Sequence, residues 1–237
     1  MVTPEKLCIL VAQLNLHVGD VDANRDKVIA AIAGARDGKK VDLLVFPELT
    51  LTGYPPEDLL LRPELTLRTE AAMEKIAAEA HGISLVLGYP KAAVGGLFNV
   101  VGLVGDGRII AEYAKQLLPN YSVFDEKRYF QPGNMPCVLD FKGIRIGLTV
   151  CEDIWEEGPT RQAVEAGAEL LISVNASPYN LGKALEREGL VRIRAQEHRI
   201  PILYANLVGG QDELVFDGGS FVVDAQGRLT QRAPFFE

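Results

Sequence analysis

At 237 residues, 48% hydrophobic and 24% charged, the chain is long enough for one large core or two small ones, and its composition excludes disorder. Acidic residues number 32 against 24 basic ones, a formal charge of -8 with no opposing basic patch. Nucleic acid and anionic membrane surfaces are therefore poor partners.

In chain order, Leu7 to Asn15 and Val41 to Phe46 read as buried strands, being near-continuous apolar runs bounded by polar or glycine-containing turns. Between them Asp22 to Arg36 reads as a helix, with Val28, Ile29, Ile32 and Ala35 three and four apart. A second helix spans Pro63 to His81 and ends at Gly82. Strands follow at Ser84 to Gly88, Phe98 to Val104, Arg108 to Ala114, Cys137 to Phe141 and Ile144 to Val150, two of their junctions being hairpins at Gly105-Asp106-Gly107 and Lys142-Gly143. Helix 159–167, strand Leu170 to Val174, helix 183–199, strand Ile202 to Asn206 and a hairpin around Asp224 to Gly227 complete the pattern. Helix-connected strands mixed with hairpins predict an α/β sandwich, with two facing sheets covered by helices on their outer faces.

No Ser/Pro-rich linker, internal repeat or low-complexity run interrupts the sequence, so one domain over residues 1–237 is expected. The apolar ending Ala233-Pro234-Phe235-Phe236-Glu237 leaves open a chain cut from a longer protein. No apolar run reaches the roughly 18 residues of a bilayer span, and the start Met1-Val2-Thr3-Pro4-Glu5-Lys6 lacks a basic region followed by an apolar one. The expectation is a soluble, cytoplasmic protein.

Chemistry is concentrated at strand ends. The three cysteines, Cys8, Cys137 and Cys151, cannot all pair, and none has zinc-knuckle or redox-motif spacing. Cys8 and Cys137 lie in apolar strands and suit packed thiols, whereas Cys151 closes a strand just before Glu152-Asp153, at a sheet edge where α/β proteins place ligands. A nucleophilic thiol needs a base, yet His81 and His198 sit at helix ends with ordinary structural roles. Cys151 taken alone also suits a packed core thiol; if it is active, a carboxylate or lysine has to replace the imidazole. Glu48 follows an apolar strand and precedes the stiff turn Thr52-Gly53-Tyr54-Pro55-Pro56, and Lys115 ends Ile109 to Ala114; either alone also suits a solvated surface residue.

Three segments, Phe46-Pro47-Glu48-Leu49 with Gly53-Tyr54, Lys115-Gln116-Leu117-Leu118-Pro119-Asn120, and Val150-Cys151-Glu152-Asp153-Ile154-Trp155, resemble the ordered signatures of the nitrilase (carbon-nitrogen hydrolase) superfamily. Segments 118–130, Asn175 to Tyr179 and Gly209 to Gly218 resemble, more narrowly, the N-terminal glutaminase domain of glutamine-dependent NAD synthetases. The resemblance covers nearly the whole chain. It implies a four-layer αββα sandwich and a triad with Glu48 as general base, Lys115 as oxyanion stabiliser and Cys151 as nucleophile, Glu126 supporting Lys115. It also places Tyr121, Ser177 and Lys183 at glutamine-binding positions, with Glu152 and Tyr54 nearby. The lysine cation is expected to favour the thiolate.

The implied reaction releases ammonia from L-glutamine to a synthetase domain or subunit, which amidates deamido-NAD with ATP. The string Val208-Gly209-Gly210-Gln211-Asp212-Glu213 lacks both serines of a Ser-Gly-Gly-x-Asp-Ser pyrophosphate loop and reads as a structural or subunit-contact loop. No cofactor or metal is therefore expected on this chain, ATP and Mg²⁺ belonging to the synthetase part. The resemblance also implies a homo-oligomer. Two other readings are a stand-alone amidase acting on an N-carbamoyl compound or ω-amide, and a binding module that has kept the fold and lost the chemistry.

Overall fold

The computed structural model describes residues 6–38 and 40–237; the stretch Met1 to Glu5, read above for a targeting signal, lies outside them. Strands β1 (Ile9–Val11), β2 (Leu43–Val45), β3 (Ser84–Ala93), β4 (Gly96–Gly105) and β5 (Arg108–Ala114) form one sheet in chain order. Strands β6 (Cys137–Phe141), β7 (Ile144–Val150), β8 (Leu170–Asn175), β9 (Ile202–Asn206), β12 (Phe221–Val223) and β13 (Leu229–Arg232) form the second, in the order β13-β12-β9-β8-β7-β6. Helices α1 (Val21–Gly38) and α2 (Pro63–Glu79) pack on the first sheet, and α3 (Glu157–Glu165) and α4 (Lys183–His198) on the second.

Alternation along single strands builds the four layers. In β2, Leu43 and Val45 point into the apolar cluster between the sheets, while Leu44 and the following Phe46 point to α1 and α2. In β8, Ile172 and Val174 face inward and Leu171 faces the α3–α4 side. These strands read as continuous hydrophobic runs because both of their faces are buried. The αββα expectation is met.

Local differences have simple causes. β1 is three residues long rather than nine; just past it the Ala12 N–H donates to the Val45 carbonyl at 2.9 Å, and Asn15 then makes an isolated bridge to Val208. β3 and β4 run ten residues each, because their antiparallel pairing continues from Leu85↔Val104 to Ala93↔Gly96. α2 stops at Glu79, two residues before His81. The segment read as a contact loop is a hairpin, β10 (Val208–Gln211) paired with β11 (Leu214–Asp217). Its end is pinned by a buried ion pair in which Nη2 of Arg187 on α4 donates to both carboxylate oxygens of Asp217, at 2.6 and 2.7 Å. A partner on α4 is invisible to local sequence pattern.

The topology places the chemistry. β2 and β5 run in the same direction, since β3–β4 and β4–β5 are both antiparallel, so Glu48 and Lys115 leave the same edge of one sheet. Cys151 leaves the C-terminal end of β7, which lies parallel to β8 and β9. Crevices beyond strand carboxyl ends are where open α/β sheets bind ligands.

Candidate active site

Beyond β2 the chain turns sharply, with Leu49 in the left-handed region at φ 46° and the Thr50 hydroxyl donating to the Pro47 carbonyl at 2.7 Å. The turn lies against β3 so closely that a Cβ on Gly88 would sit 2.6 Å from the Leu49 nitrogen and 2.7 Å from the Pro47 oxygen. Both are backbone atoms and cannot swing aside. Gly88→Ala is expected to cost about 1–3 kcal/mol of stability, measurable by denaturant titration, because the Glu48 turn must move to make room.

Glu48, Lys115, Glu126 and Cys151 are 1, 1, 5 and 7% exposed. Such burial of charge is tolerated only with partners. The Lys115 ammonium donates to Glu48 Oε1 and to Glu126 Oε1, each at 2.8 Å. Glu48 Oε1 also accepts from Asn99 Nδ2 at 2.7 Å, and Oε2 accepts from the Ala176 backbone N–H at 3.0 Å. Glu126 Oε1 also accepts from the Tyr54 hydroxyl at 2.9 Å, whereas Oε2 has no hydrogen-bond partner among the described residues.

Burial is the largest single influence on Lys115 and disfavours its ammonium, but Glu126 and Glu48 together outweigh it and hold it well above the ordinary lysine range. It is a cation across the neutral range. Burial pushes Glu126 up to about 7, Lys115 opposing the shift and Glu48 adding to it. A carboxyl raised from 4.5 to about 7 stabilises the fold fully below its unfolded value, and that contribution is lost as pH rises through about 7. Glu126→Gln is therefore expected to flatten the fall in melting temperature between about pH 5 and pH 8, measured by thermal melts across that range.

Cys151 occupies a strand-to-helix elbow: it has φ 45°, follows β7 directly and opens the short 3₁₀ turn Cys151–Ile154. A left-handed non-glycine residue is uncommon, and such strain clusters at functional sites. Burial pushes its thiol well above the ordinary range, Glu48 adds to the shift, and Lys115 opposes it without cancelling it. Lys115 thus favours the thiolate, as the sequence leads one to expect, but burial and Glu48 outweigh it. In the resting site the sulfur is a protonated thiol, so a base must remove its proton.

The residues expected to hold the head group lie at several separate points. Tyr121 and Glu152 meet at a cleft of about 620 Å³, whose lining also includes Gln116, Leu117, Asn120 and Glu156. There the Tyr121 hydroxyl donates to Glu152 at 3.0 Å. Ser177 is buried beyond β8, its backbone N–H donating to Asn206 Oδ1 at 3.0 Å, one residue past the Ala176 N–H that holds Glu48. Lys183 packs its ammonium 3.9 Å from the centre of the Trp155 ring at the end of the cysteine turn, and 3.2 Å from Glu186. It is no freely solvated lysine. The Tyr54 hydroxyl donates to Glu126 Oε1, which in turn accepts from Lys115.

Two buried residues in this constellation escape a reading by strand ends, Asn99 and Asp153. Asn99 is a lone polar side chain in the apolar run of β4, which is the signal that could have found it. The Asp153 carboxylate accepts four hydrogen bonds, and burial still pushes it up to about 6. Among the described residues no group of three or more His, Cys, Asp or Glu side chains is placed to hold a metal ion.

Known proteins show the same architecture. A glutamine-dependent NAD(+) synthetase of Xylella fastidiosa is 47% identical over 234 residues, which are 98% of this chain and 43% of that protein. The structure of the glutamine-dependent NAD+ synthetase from Acinetobacter baumannii with ADP superposes with a TM-score of 0.93 at 38% identity, covering 97% of this chain and 43% of that one. This chain thus spans less than half the length of these synthetases. An amidase from Nesterenkonia sp. superposes with a TM-score of 0.86 at 28% identity, over 98% of this chain and 88% of the amidase. A mutant of that amidase carries the product of Michael addition of acrylamide at its active-site cysteine. The carbon-nitrogen hydrolase family pattern matches residues 9–237, the span that holds the Glu48–Lys115–Glu126 chain and the Cys151 elbow, and the chain belongs to the carbon-nitrogen hydrolase family.

Proposed function

We propose that this chain hydrolyses the side-chain amide of L-glutamine through a thioester on Cys151 and delivers the ammonia to an ATP-dependent synthetase domain or subunit that amidates deamido-NAD. The observation that carries this reading is the buried Glu48–Lys115–Glu126 chain, with both contacts at 2.8 Å, acting electrostatically on an elbow cysteine. The relatives' dependence on glutamine supports the substrate.

In the proposed cycle Glu48 removes the Cys151 proton as sulfur attacks the amide carbon. Lys115, a cation throughout, stabilises the oxyanion, as does a backbone N–H of the Cys151–Ile154 turn; such donors are worth about 3 kcal/mol each. Glu48 then returns the proton to the departing ammonia. It next activates the water that cleaves the thioester, giving glutamate and the free thiol. Glu126 holds Lys115 from its other side, and Tyr54 holds Glu126. Glu152 with Tyr121 is assigned to the substrate ammonium, and Lys183 with Ser177 to its carboxylate.

Residues 1–237 form the glutaminase domain in this proposal. It uses no cofactor of its own; ATP and Mg²⁺ serve the synthetase part. A cytoplasmic setting suits the three unpaired cysteines. Among the described residues no helix is long and apolar enough to cross a membrane. The exposed side chains of Leu181, Leu185 and Ile193, on and just before α4, support self-association.

The amidase superposition favours a second reading, hydrolysis of a small free amide. Ammonia release from L-glutamine and from a panel of small and N-carbamoyl amides decides between them. The expected result is a kcat/KM for glutamine at least about tenfold above any other amide, equal to about 1.4 kcal/mol of discrimination. The reverse ranking overturns the glutaminase reading.

A further inference from the structure

We infer that Asp153 is a positioning residue which fixes the distance between the lysine strand and the cysteine elbow, and so sets the geometry of the site proposed above. Its carboxylate collects donors from both elements. Oδ1 accepts the backbone N–H groups of Gln116 at 3.1 Å and Leu117 at 2.9 Å, the two residues that follow Lys115. Oδ2 accepts the Tyr113 hydroxyl at 2.9 Å, two residues before Lys115, and the Val150 N–H at 3.1 Å, immediately before Cys151. Lys115 is bracketed on both sides by groups bound to one carboxylate, and that carboxylate stands two residues beyond Cys151.

The chemistry requires an acid here. An ionised carboxylate has about four acceptor sites and no donor, and all four contacts come from donors. An asparagine would aim its NH₂ either at two backbone N–H groups or at the phenol and the Val150 N–H, leaving donors unpaired in a fully buried place. Burial disfavours the ion, yet with its carboxyl at about 6 it is charged at neutral pH. A charge kept in the interior against that opposition suits registry between two separate elements of the fold. A displacement of about 1 Å in a catalytic group can cost about a hundredfold in rate, so a tether on both elements has direct kinetic consequences.

The test compares the parent with Asp153→Asn and Tyr113→Phe in two assays. One is glutamine hydrolysis; the other is the alkylation rate of Cys151 by iodoacetamide, resolved from Cys8 and Cys137 by peptide mass spectrometry. Alkylation needs no recognition of glutamine, so it reads the geometry even if the substrate assignment fails. For Asp153→Asn the expected result is a kcat about a hundredfold lower, with KM changed by less than about threefold. Cys151 alkylation slows at least about fivefold, because the elbow drifts from the Lys115 field that favours the thiolate. Tyr113→Phe removes one of the four bonds and should show a smaller loss of the same kind, about threefold to tenfold.

Local loosening without a positioning role would instead expose Cys151 and speed its alkylation. Faster alkylation, or a folded Asp153→Asn protein with parental kcat and alkylation rate, overturns the inference. Should Asp153→Asn fail to fold, Tyr113→Phe decides, and parental values in that variant overturn the inference equally. If the parent releases no ammonia from glutamine while Asp153→Asn still slows alkylation, the substrate assignment falls and the positioning role stands.

Discussion

Replacing Cys151 with alanine is expected to lower glutamine turnover by at least about 10⁴-fold while leaving the fold intact. The loss is large because neither of the other two thiols can substitute: Cys8 is exposed and Cys137 lies on β6. The fold survives because the sulfur is a neutral thiol in the resting site, so its removal leaves no unpaired charge. The left-handed backbone at φ 45° strains alanine no more than cysteine. What remains is a small void beside Val150 and Val174 in the inter-sheet cluster, expected to cost about 1 kcal/mol or about 2–4 °C in melting temperature. A coupled ammonia assay and a thermal melt check the two halves, and turnover at the parental rate would remove the covalent mechanism.

Lys115→Met is expected to damage both activity and stability. Methionine matches the aliphatic stem but leaves Glu48 and Glu126 buried without their shared cation, contacts that now stand at 2.8 Å each. Breaking a buried pair by removing one partner costs about 3–5 kcal/mol, roughly 10 °C for a chain of this size. In the parent the Lys115 pKa is raised, so its stabilisation is fully present across the neutral range and is lost only as pH climbs through the elevated lysine value. In the variant the dependence changes character. Burial already pushes the Glu126 carboxyl up to about 7 in the parent, and with the lysine that opposes this shift removed, stability falls as pH rises through the raised Glu126 value and partly recovers toward about pH 5. Loss of Lys115 as the proposed oxyanion donor is expected to add about 10²–10³-fold in kcat. Melts at acid and alkaline pH with parallel rate measurements check this; equal stability at both ends would contradict it.

Sequence pattern shows what repeats locally and misses what depends on distant neighbours. The wholly apolar runs of β2 and β8 announce strands with two buried faces, and the glycine-centred turn at 105–107 announces the β4–β5 hairpin. Glu48, Lys115 and Cys151 are legible as strand-end residues because each interrupts an apolar run. Their convergence is not legible from local pattern, since Glu48 and Lys115 lie 67 residues apart and meet only through the β2–β3–β4–β5 order of the sheet. Gly88 and Asp153 escape for a related reason. Gly88 looks like any strand glycine until the Glu48 turn is laid against it, and Asp153 looks like a solvated neighbour of Glu152 until four donors from two elements close on it. The sign of the Cys151 shift was equally hidden, because it depends on burial and on two carboxylates distant in sequence.

One measurement bears most directly on the convergence of acid, amine and sulfur into a glutamine-processing site. The chain is incubated with an electrophilic glutamine analogue, diazo-oxo-norleucine, digested, and the modified peptide located by mass spectrometry in the parent and in Lys115→Met. The expected result is stoichiometric modification of Cys151 in the parent, none at Cys8 or Cys137, and strongly reduced labelling without Lys115. A parent that stays unlabelled at Cys151, or that is labelled equally at the exposed Cys8, would contradict it.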